Sequence, residues 1–298
     1  MAGTSIRMND RETIARHIAH ATGRPFRIRR EQSVGGGCIN RAVVLADGAR
    51  AYFVKLNSAD RLEMFEAESA GLAALGAANA IRVPEPVCTG VAGNQSYLAI
   101  EHLDLAGRLD GAEAGRRLAQ LHRCTAPDFG WHRDNTIGST PQHNTQTFDW
   151  VEFWRVHRLG FQLDLAARNG HGRALSGSGE RLMSVLDHLI GHRPAPSLVH
   201  GDLWGGNIGA TREGEPVIFD PAVYYGDRET DLAMTELFGG FGSDFYAAYR
   251  EAWPMPPEYD TRRILYNLYH ILNHLNLFGG GYLAQAKGMM DRLLAAVR

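Results

Sequence analysis

The hydrophobic period of this chain changes once, near residue 104, and that change limits the folds open to it. Before it, apolar residues mostly alternate, as half-buried strands require. The runs are Phe26 to Val34, Arg41 to Leu45, Ala51 to Leu56, Glu85 to Gly90 and Ser96 to Glu101. Asp47-Gly48 and Gly93-Asn94 mark tight turns between neighbouring runs. Two helices interrupt the series. One runs from Asn9-Asp10 to about Ala21 and stops at Gly23 and Pro25; the other covers Arg61 to Ala77. Beyond residue 104 helical spacing prevails, at Ala112 to Cys124, Phe148 to Asn169, Gly179 to His192, Thr230 to Phe238, Asp244 to Ala252, Tyr259 to Asn276 and Ala284 to Val297. One short apolar strand, Pro216 to Phe219, lies among them. Segments 125–147 and 170–178 read as irregular, the second because it is polar and rich in Gly and Ser. The expected class is α+β. A β-rich lobe, a five-stranded sheet with one interposed helix, covers residues 1–103, and a mainly helical lobe covers residues 104–298.

Composition excludes several function classes. Hydrophobic residues make up 44% and charged residues 21%, which is ordinary for a soluble globular chain. The formal net charge of -2 offers no basic excess for a nucleic-acid partner. No apolar run approaches the ~20 residues that span a bilayer, so no membrane partner is expected. Residues 1–11 lack a signal-peptide core, and the three cysteines, Cys38, Cys88 and Cys124, have neither disulfide nor zinc spacing. The expected compartment is the cytoplasm, and the expected assembly a monomer or weak dimer.

The chemistry-bearing residues then fall into an order. Asp202 and Asn207 stand five apart in His200-Gly201-Asp202-Leu203-Trp204-Gly205-Gly206-Asn207, behind the apolar Ser197-Leu198-Val199. An aspartate on such a turn can accept a hydroxyl proton, and an amide oxygen suits a magnesium ion. Asp220 closes the strand Val217-Ile218-Phe219, where a second, stronger oxygen ligand for Mg²⁺ is needed. Upstream, Gly35-Gly36-Gly37 sits between two strands, as a backbone cradle for phosphates would. It is not a Walker A loop, because no Gly-Lys-Ser/Thr follows. Lys55 lies in the apolar strand after it, with Glu68, Glu66 and Glu63 on the next helix as candidate partners. Helical phase alone does not choose among the three. Each feature by itself has a bland reading, since Asp, Asn and Gly are common turn formers and a strand lysine is usually solvated. The ordered set points to phosphoryl transfer from ATP. Asp128-Phe129-Gly130 spells a kinase metal motif, but it precedes Asp202 by about seventy residues and reads as a loop.

At these residues the chain resembles the fructosamine-3-kinase (ketosamine kinase) family, within the aminoglycoside-phosphotransferase and protein-kinase-like group. The resemblance rests on His200 to Asn207 and on the run from Asp220-Pro221 to Met234. It also rests on Gly35 to Asn40, Asn135 to Gln142, and Tyr266 to Gly279. It implies a two-lobed kinase-like fold and ATP- and Mg²⁺-dependent phosphorylation of a sugar hydroxyl on a small-molecule or protein-bound ketosamine. The phosphorylated adduct then breaks down and frees the amine. By matching position, Asp202 is the base, Asn207 and Asp220 are the Mg²⁺ ligands, and Lys55 with Glu68 orients the phosphates. Glu101-His102-Leu103 would hold adenine by backbone groups, and Asp231 would accept N–H bonds from the catalytic loop.

Trp204 is expected to stack on the sugar or its amine substituent, against the alternative of simple packing. His270 and His274 stand four apart on one helix, but without a third ligand they read as core or cleft histidines, His274 being the candidate for substrate contact. His200 reads as a loop anchor. Cys38, in the phosphate loop, is either a redox-sensitive thiol or a small filler; Cys88 and Cys124 read as buried hydrophobes. Competing functions are a kinase for an aminoglycoside, choline or another amino alcohol, and a pseudokinase. An aromatic cage for a choline-like head group would draw on Trp131, Trp150, Trp154, Tyr224 and Tyr225. The pseudokinase is disfavoured because Lys55, Asp202, Asn207 and Asp220 are all present.

Overall fold

A computed structural model of the protein describes residues 6–35 and 39–297. The chain divides into two compact units, Met1–Arg108 with Gly209–Phe219, and Leu109–Ile208 with Asp220–Arg298.

The first unit opens with helix α1, Met8–Thr22, which Gly23 ends in the left-handed conformation (φ 66°). Strands β1 (Arg30–Val34), β2 (Arg41–Ala46), β3 (Ala51–Ser58), β4 (Pro86–Ala92) and β5 (Gln95–Glu101) form one sheet in the order β1-β2-β3-β5-β4. Every pairing is antiparallel. Helix α2, Leu62–Ala77, is the interposed helix. Side chains two apart on a strand share a face. Val43, Leu45, Val54, Leu56, Tyr97 and Ala99 accordingly bury in one cluster with Ile14 and Ile18 of α1. Lys55 is one residue out of that phase and points to the other face. Residues 209–219 return to this unit as a ribbon, Ile208–Ala210 with Pro216–Ile218, which Ile218 N–H joins to the Arg82 carbonyl at 3.0 Å. Gly107 is required there, because a Cβ would stand 1.6 Å from the Thr211 carbonyl oxygen.

In the second unit helix α3, Gly111–His122, starts on Asp110, whose carboxylate accepts the Glu113 N–H at 2.9 Å. It packs on helix Ser243–Ala252 so closely that a Cβ on Gly115 would lie 2.2 Å from the Phe245 carbonyl oxygen. Strands β6 (Asn135–Ile137) and β7 (Thr140–Gln142) form a hairpin within the otherwise irregular segment 125–147. From Trp150 the chain stays largely helical to Ser184, with π-type turns at Trp154–Gly160 and Ala167–His171 and a break at Gly170 (φ 91°). The expected loop 170–178 is therefore mostly helix. Leu175 within it is buried, and just beyond it Leu182 is buried and a Cβ on Gly179 would press on the Leu163 side chain at 3.2 Å. Helix Tyr259–Phe278 is buried over most of its length and carries the unit's core, where Tyr266 and Trp154 rings meet at 4.8 Å. Its Arg262 clamps the buried Glu229 carboxylate with bonds of 2.7 and 3.0 Å. That helix is not long and apolar enough to cross a membrane, nor is any other described helix.

His270, on the same helix, is buried, and burial together with the nearby His274 pulls its pKa down to about 3. Below its ordinary value of 6.5 the unfolded chain takes up a proton that the folded one refuses, so His270 removes stability as pH falls from about 6.5 towards 3. The wild type should lose about 2 kcal/mol more than His270→Gln between pH 8 and pH 5 in urea titrations. Equal losses would show that His270 protonates freely in the fold.

Candidate active site

Lys55 occupies the middle of β3, flanked by Ala42 of β2 and Leu98 of β5. Only 5% of it is exposed, so its ammonium needs a partner, and the Glu68 carboxylate of α2 accepts its hydrogen bond. The choice among three glutamates is thereby made in favour of Glu68, a full turn of helix further along than Glu63, which is exposed. Gly35 is exposed at the end of β1; Gly36, Gly37 and Cys38 lie outside the described residues. Beyond them Asn57 Nδ2 donates to Asn40 Oδ1 at 2.7 Å, tying the resumed chain to β3. At the end of β5 the Glu101 carboxylate takes both Arg82 (2.5 and 2.6 Å) and the Glu85 N–H. Its own N–H is spent on the Glu85 carbonyl at 2.8 Å. His102 and Leu103 follow as irregular chain.

In the second unit the turn carrying Asp202 is held from behind. Ser197–Val199 pairs antiparallel with Tyr224–Gly226, and the Asp231 carboxylate accepts the N–H groups of His200 (2.7 Å) and Gly201 (2.8 Å). Asp231 also binds His122 Nε2 at 3.1 Å, which must donate; His122 Nδ1 then accepts the Tyr249 hydroxyl at 2.7 Å. Burial alone would raise the Asp231 carboxyl, but the hydrogen bonds it accepts from His122 and from the Gly201 N–H outweigh it and hold it below the usual range. Gly201 sits at φ 82°, and a Cβ there would be 2.1 Å from the Ala222 carbonyl oxygen. His200 anchors the turn, its Nδ1 accepting the Asp202 N–H at 3.2 Å.

Asp202 is half-buried at the tip. Burial first, then the charges of Asp220 and Asp231, push its pKa up to about 7. A carboxylate so placed is a far better proton acceptor near neutral pH than an ordinary aspartate. Asn207 donates its amide hydrogens to Asp202, at 2.8 Å to the backbone oxygen and 3.4 Å to Oδ2, which turns its amide oxygen away from Asp202. Asp220 is exposed and stands in the left-handed region at φ 58°, which aspartate tolerates better than most residues. An amide oxygen with two mutually repelling carboxylates, Asp202 and Asp220, is by its chemistry a donor set that fits a hard divalent cation such as Mg²⁺.

Trp204 is 40% exposed, and its indole lies across Gly206, where a Cβ would meet the ring at 2.3 Å. Its ring meets Phe238 edge-on at 6.2 Å; Phe238 in turn contacts His274 at 5.1 Å, and His274 contacts Phe278 and Tyr282. The two candidate substrate residues therefore belong to one aromatic cluster. His274 Nδ1 faces the His270 carbonyl at 2.8 Å and must donate, which leaves Nε2 as an acceptor in the neutral ring. The alternative cage does not assemble: Trp131, Trp150, Trp154 and Tyr224 are buried in the core. Phe129 of the Asp128-Phe129-Gly130 sequence packs on Trp150, and Gly130 exchanges backbone bonds with Tyr225. Cys88 and Cys124 are half-buried rather than core residues, and burial raises the Cys88 thiol to about 11. A further cluster, His192, Asp227 and Glu229, is an internal network: Asp227 accepts from His192 and Tyr266, each at 2.7 Å, while Arg262 holds Glu229. His122 and Phe238 were not legible as site residues. His122 ends a helix at ordinary spacing, and Phe238 precedes a glycine-rich turn.

The fold is one shared with phosphotransferases. The same fold occurs in a solved aminoglycoside phosphotransferase (TM-score 0.58, 16% identity, covering 95% of this chain and 98% of that one). The particular family follows from a model described as fructosamine kinase, which matches residues 10–296; the chain belongs to that family. A candidate ketoamine kinase of Synechocystis sp. is 50% identical over 95% of this chain and 96% of its own length. The chloroplastic protein-ribulosamine 3-kinase of Oryza sativa subsp. indica is 43% identical over 93% of this chain and 82% of its own. A solved candidate fructosamine-3-kinase from Haemophilus somnus superposes with a TM-score of 0.88 at 27% identity, covering 94% of this chain and 96% of that one.

Proposed function

We propose that the protein transfers the γ-phosphoryl group of ATP to a sugar hydroxyl of a ketosamine, and so acts in removing sugar adducts from amines. One observation carries the mechanism. Asp202 is a carboxylate with a raised pKa, and Asn207 turns its amide hydrogens to it and its amide oxygen away. Asp202 accepts the proton of the attacking hydroxyl as its oxygen bonds to the γ-phosphorus and the bond from that phosphorus to the bridging β-phosphate oxygen breaks, releasing ADP. Lys55, fixed by Glu68, orients the nucleotide phosphates. Asn207 and Asp220 would hold Mg²⁺, which supplies charge neutralisation at the phosphates when bound. Gly35, Gly36, Gly37 and Cys38 would line the phosphate turn, and Glu101, His102 and Leu103 the adenine side. Trp204 offers a face on which a sugar or amine substituent stacks, and His274 Nε2 accepts a sugar hydroxyl.

An ATP-consumption screen with a fructosamine, a ribulosamine, an aminoglycoside and choline side by side tests this reading. Turnover on the ketosamines should exceed that on the other two by at least about tenfold in kcat/KM. A preference for the aminoglycoside or for choline would replace the proposed acceptor.

A further inference from the structure

The hairpin β6–β7, one of the runs on which the resemblance rests, has no part in the mechanism above. Its face, however, is turned to the metal-ligand loop. Asn135 and Gln142 are directly opposite in register, so their side chains project on the same side. Both are buried. Gln142 Nε2 donates to the Ala222 carbonyl at 3.0 Å, and Asn135 Nδ2 donates to the next carbonyl, Val223, at 2.8 Å. The pair is itself locked. Gln142 Nε2 also donates to Asn135 Oδ1 at 2.8 Å, and the Tyr269 hydroxyl donates to Gln142 Oε1 at 2.8 Å. Each amide thus has one orientation, set by which of its atoms can donate.

The gripped segment joins the two halves of the catalytic apparatus in this unit. Ala222 lies two residues after Asp220, with Pro221 fixing the backbone between them. Ala222 N–H donates to the His200 carbonyl at 2.8 Å, so the chain just after Asp220 is held by the catalytic turn through the Ala222 N–H and by the hairpin amides through the Ala222 and Val223 carbonyls. Asp220 itself, at φ 58°, adopts a conformation that local preference does not impose and that its surroundings must hold. We infer that Asn135 and Gln142, oriented by Tyr269, are positioning residues that aim the Asp220 carboxylate beside Asn207 and Asp202. They touch neither substrate nor metal and act through the Ala222 and Val223 carbonyls. A small, hard cation demands near-ideal oxygen geometry, so an Asp220 loop released from this grip binds it less well. Outer partners of metal ligands elsewhere change metal affinity by roughly 10–100-fold.

The inference rests on the reading of Asp220 as a Mg²⁺ ligand, and calorimetry of ADP binding, with and without Mg²⁺, separates the two. In Gln142→Met, which keeps the side-chain length and removes the donors, the strengthening of ADP binding by Mg²⁺ should fall about tenfold. Metal-free ADP affinity should stay unchanged, which a general loosening of the fold would not produce. Tyr269→Phe removes only the hydroxyl and should shift Mg²⁺-dependent binding in the same direction by less; it carries the test alone where Gln142→Met does not fold. Wild-type dependence on Mg²⁺ retained in full by the folded variants would overturn the inference while leaving the Asp220 reading intact. ADP binding by wild type that ignores Mg²⁺ would sink that reading, and the inference with it.

Discussion

Asp202→Asn should lower kcat by about 10³-fold and leave ATP affinity within a factor of a few. The substitution keeps the shape of the turn, because Asn207 also bonds the Asp202 backbone oxygen and Asp231 grips His200 and Gly201. What it removes is the proton acceptor. Stability offers a second readout. Burial and the charges of Asp220 and Asp231 hold the Asp202 pKa near 7, above its ordinary 3.8. A carboxyl with a raised folded pKa costs stability as pH rises from about 4 to 7, since the unfolded chain releases the proton first. In metal-free buffer at pH 8 the Tm of Asp202→Asn should therefore equal or exceed that of wild type. A lower Tm with substantial activity retained would return Asp202 to the role of a turn former.

Asp220→Asn should abolish most of the gain in nucleotide affinity that Mg²⁺ confers, bringing the Mg²⁺ value to within a few-fold of the metal-free one. Asparagine is the informative substitute because it tolerates the left-handed backbone at φ 58°, where alanine would add strain of about 1 kcal/mol or more. The loss then reflects the missing charge. Full Mg²⁺-dependent affinity in this variant, measured by calorimetry, would contradict the assignment of Asp220.

Much of this arrangement was legible in the sequence, for a physical reason that differs between the two units. In the first, alternation names the faces of strands directly, and all five appear within a few residues of their expected bounds. The same alternation puts Lys55 out of phase with Val54 and Leu56, a sign that its face is not the main cluster. In the second, helix ends were found but segment 170–178 was misjudged. Glycine and serine read as loop formers because local preference ignores the packing that buries Leu175 in the helix they share. Asp202, Asn207 and Asp220 stand close in sequence to the strands beside them, so spacing alone was enough to single them out as candidates. His122 reaches Asp231 across more than a hundred residues, as does Tyr269 to Gln142, and no local pattern records such a contact. The hairpin Asn135 to Gln142 is part of the resemblance, yet only its register shows that the two amides share a face.

The acceptor is the centre of the account, and phosphorus NMR of the reaction mixture tests it most directly. With ATP, Mg²⁺ and a ribulosamine, the γ-phosphate signal should be replaced by a phosphomonoester resonance coupled to a sugar proton, followed by release of the free amine. Formation of inorganic phosphate alone, or a phosphomonoester only when an aminoglycoside or choline replaces the ribulosamine, would contradict it.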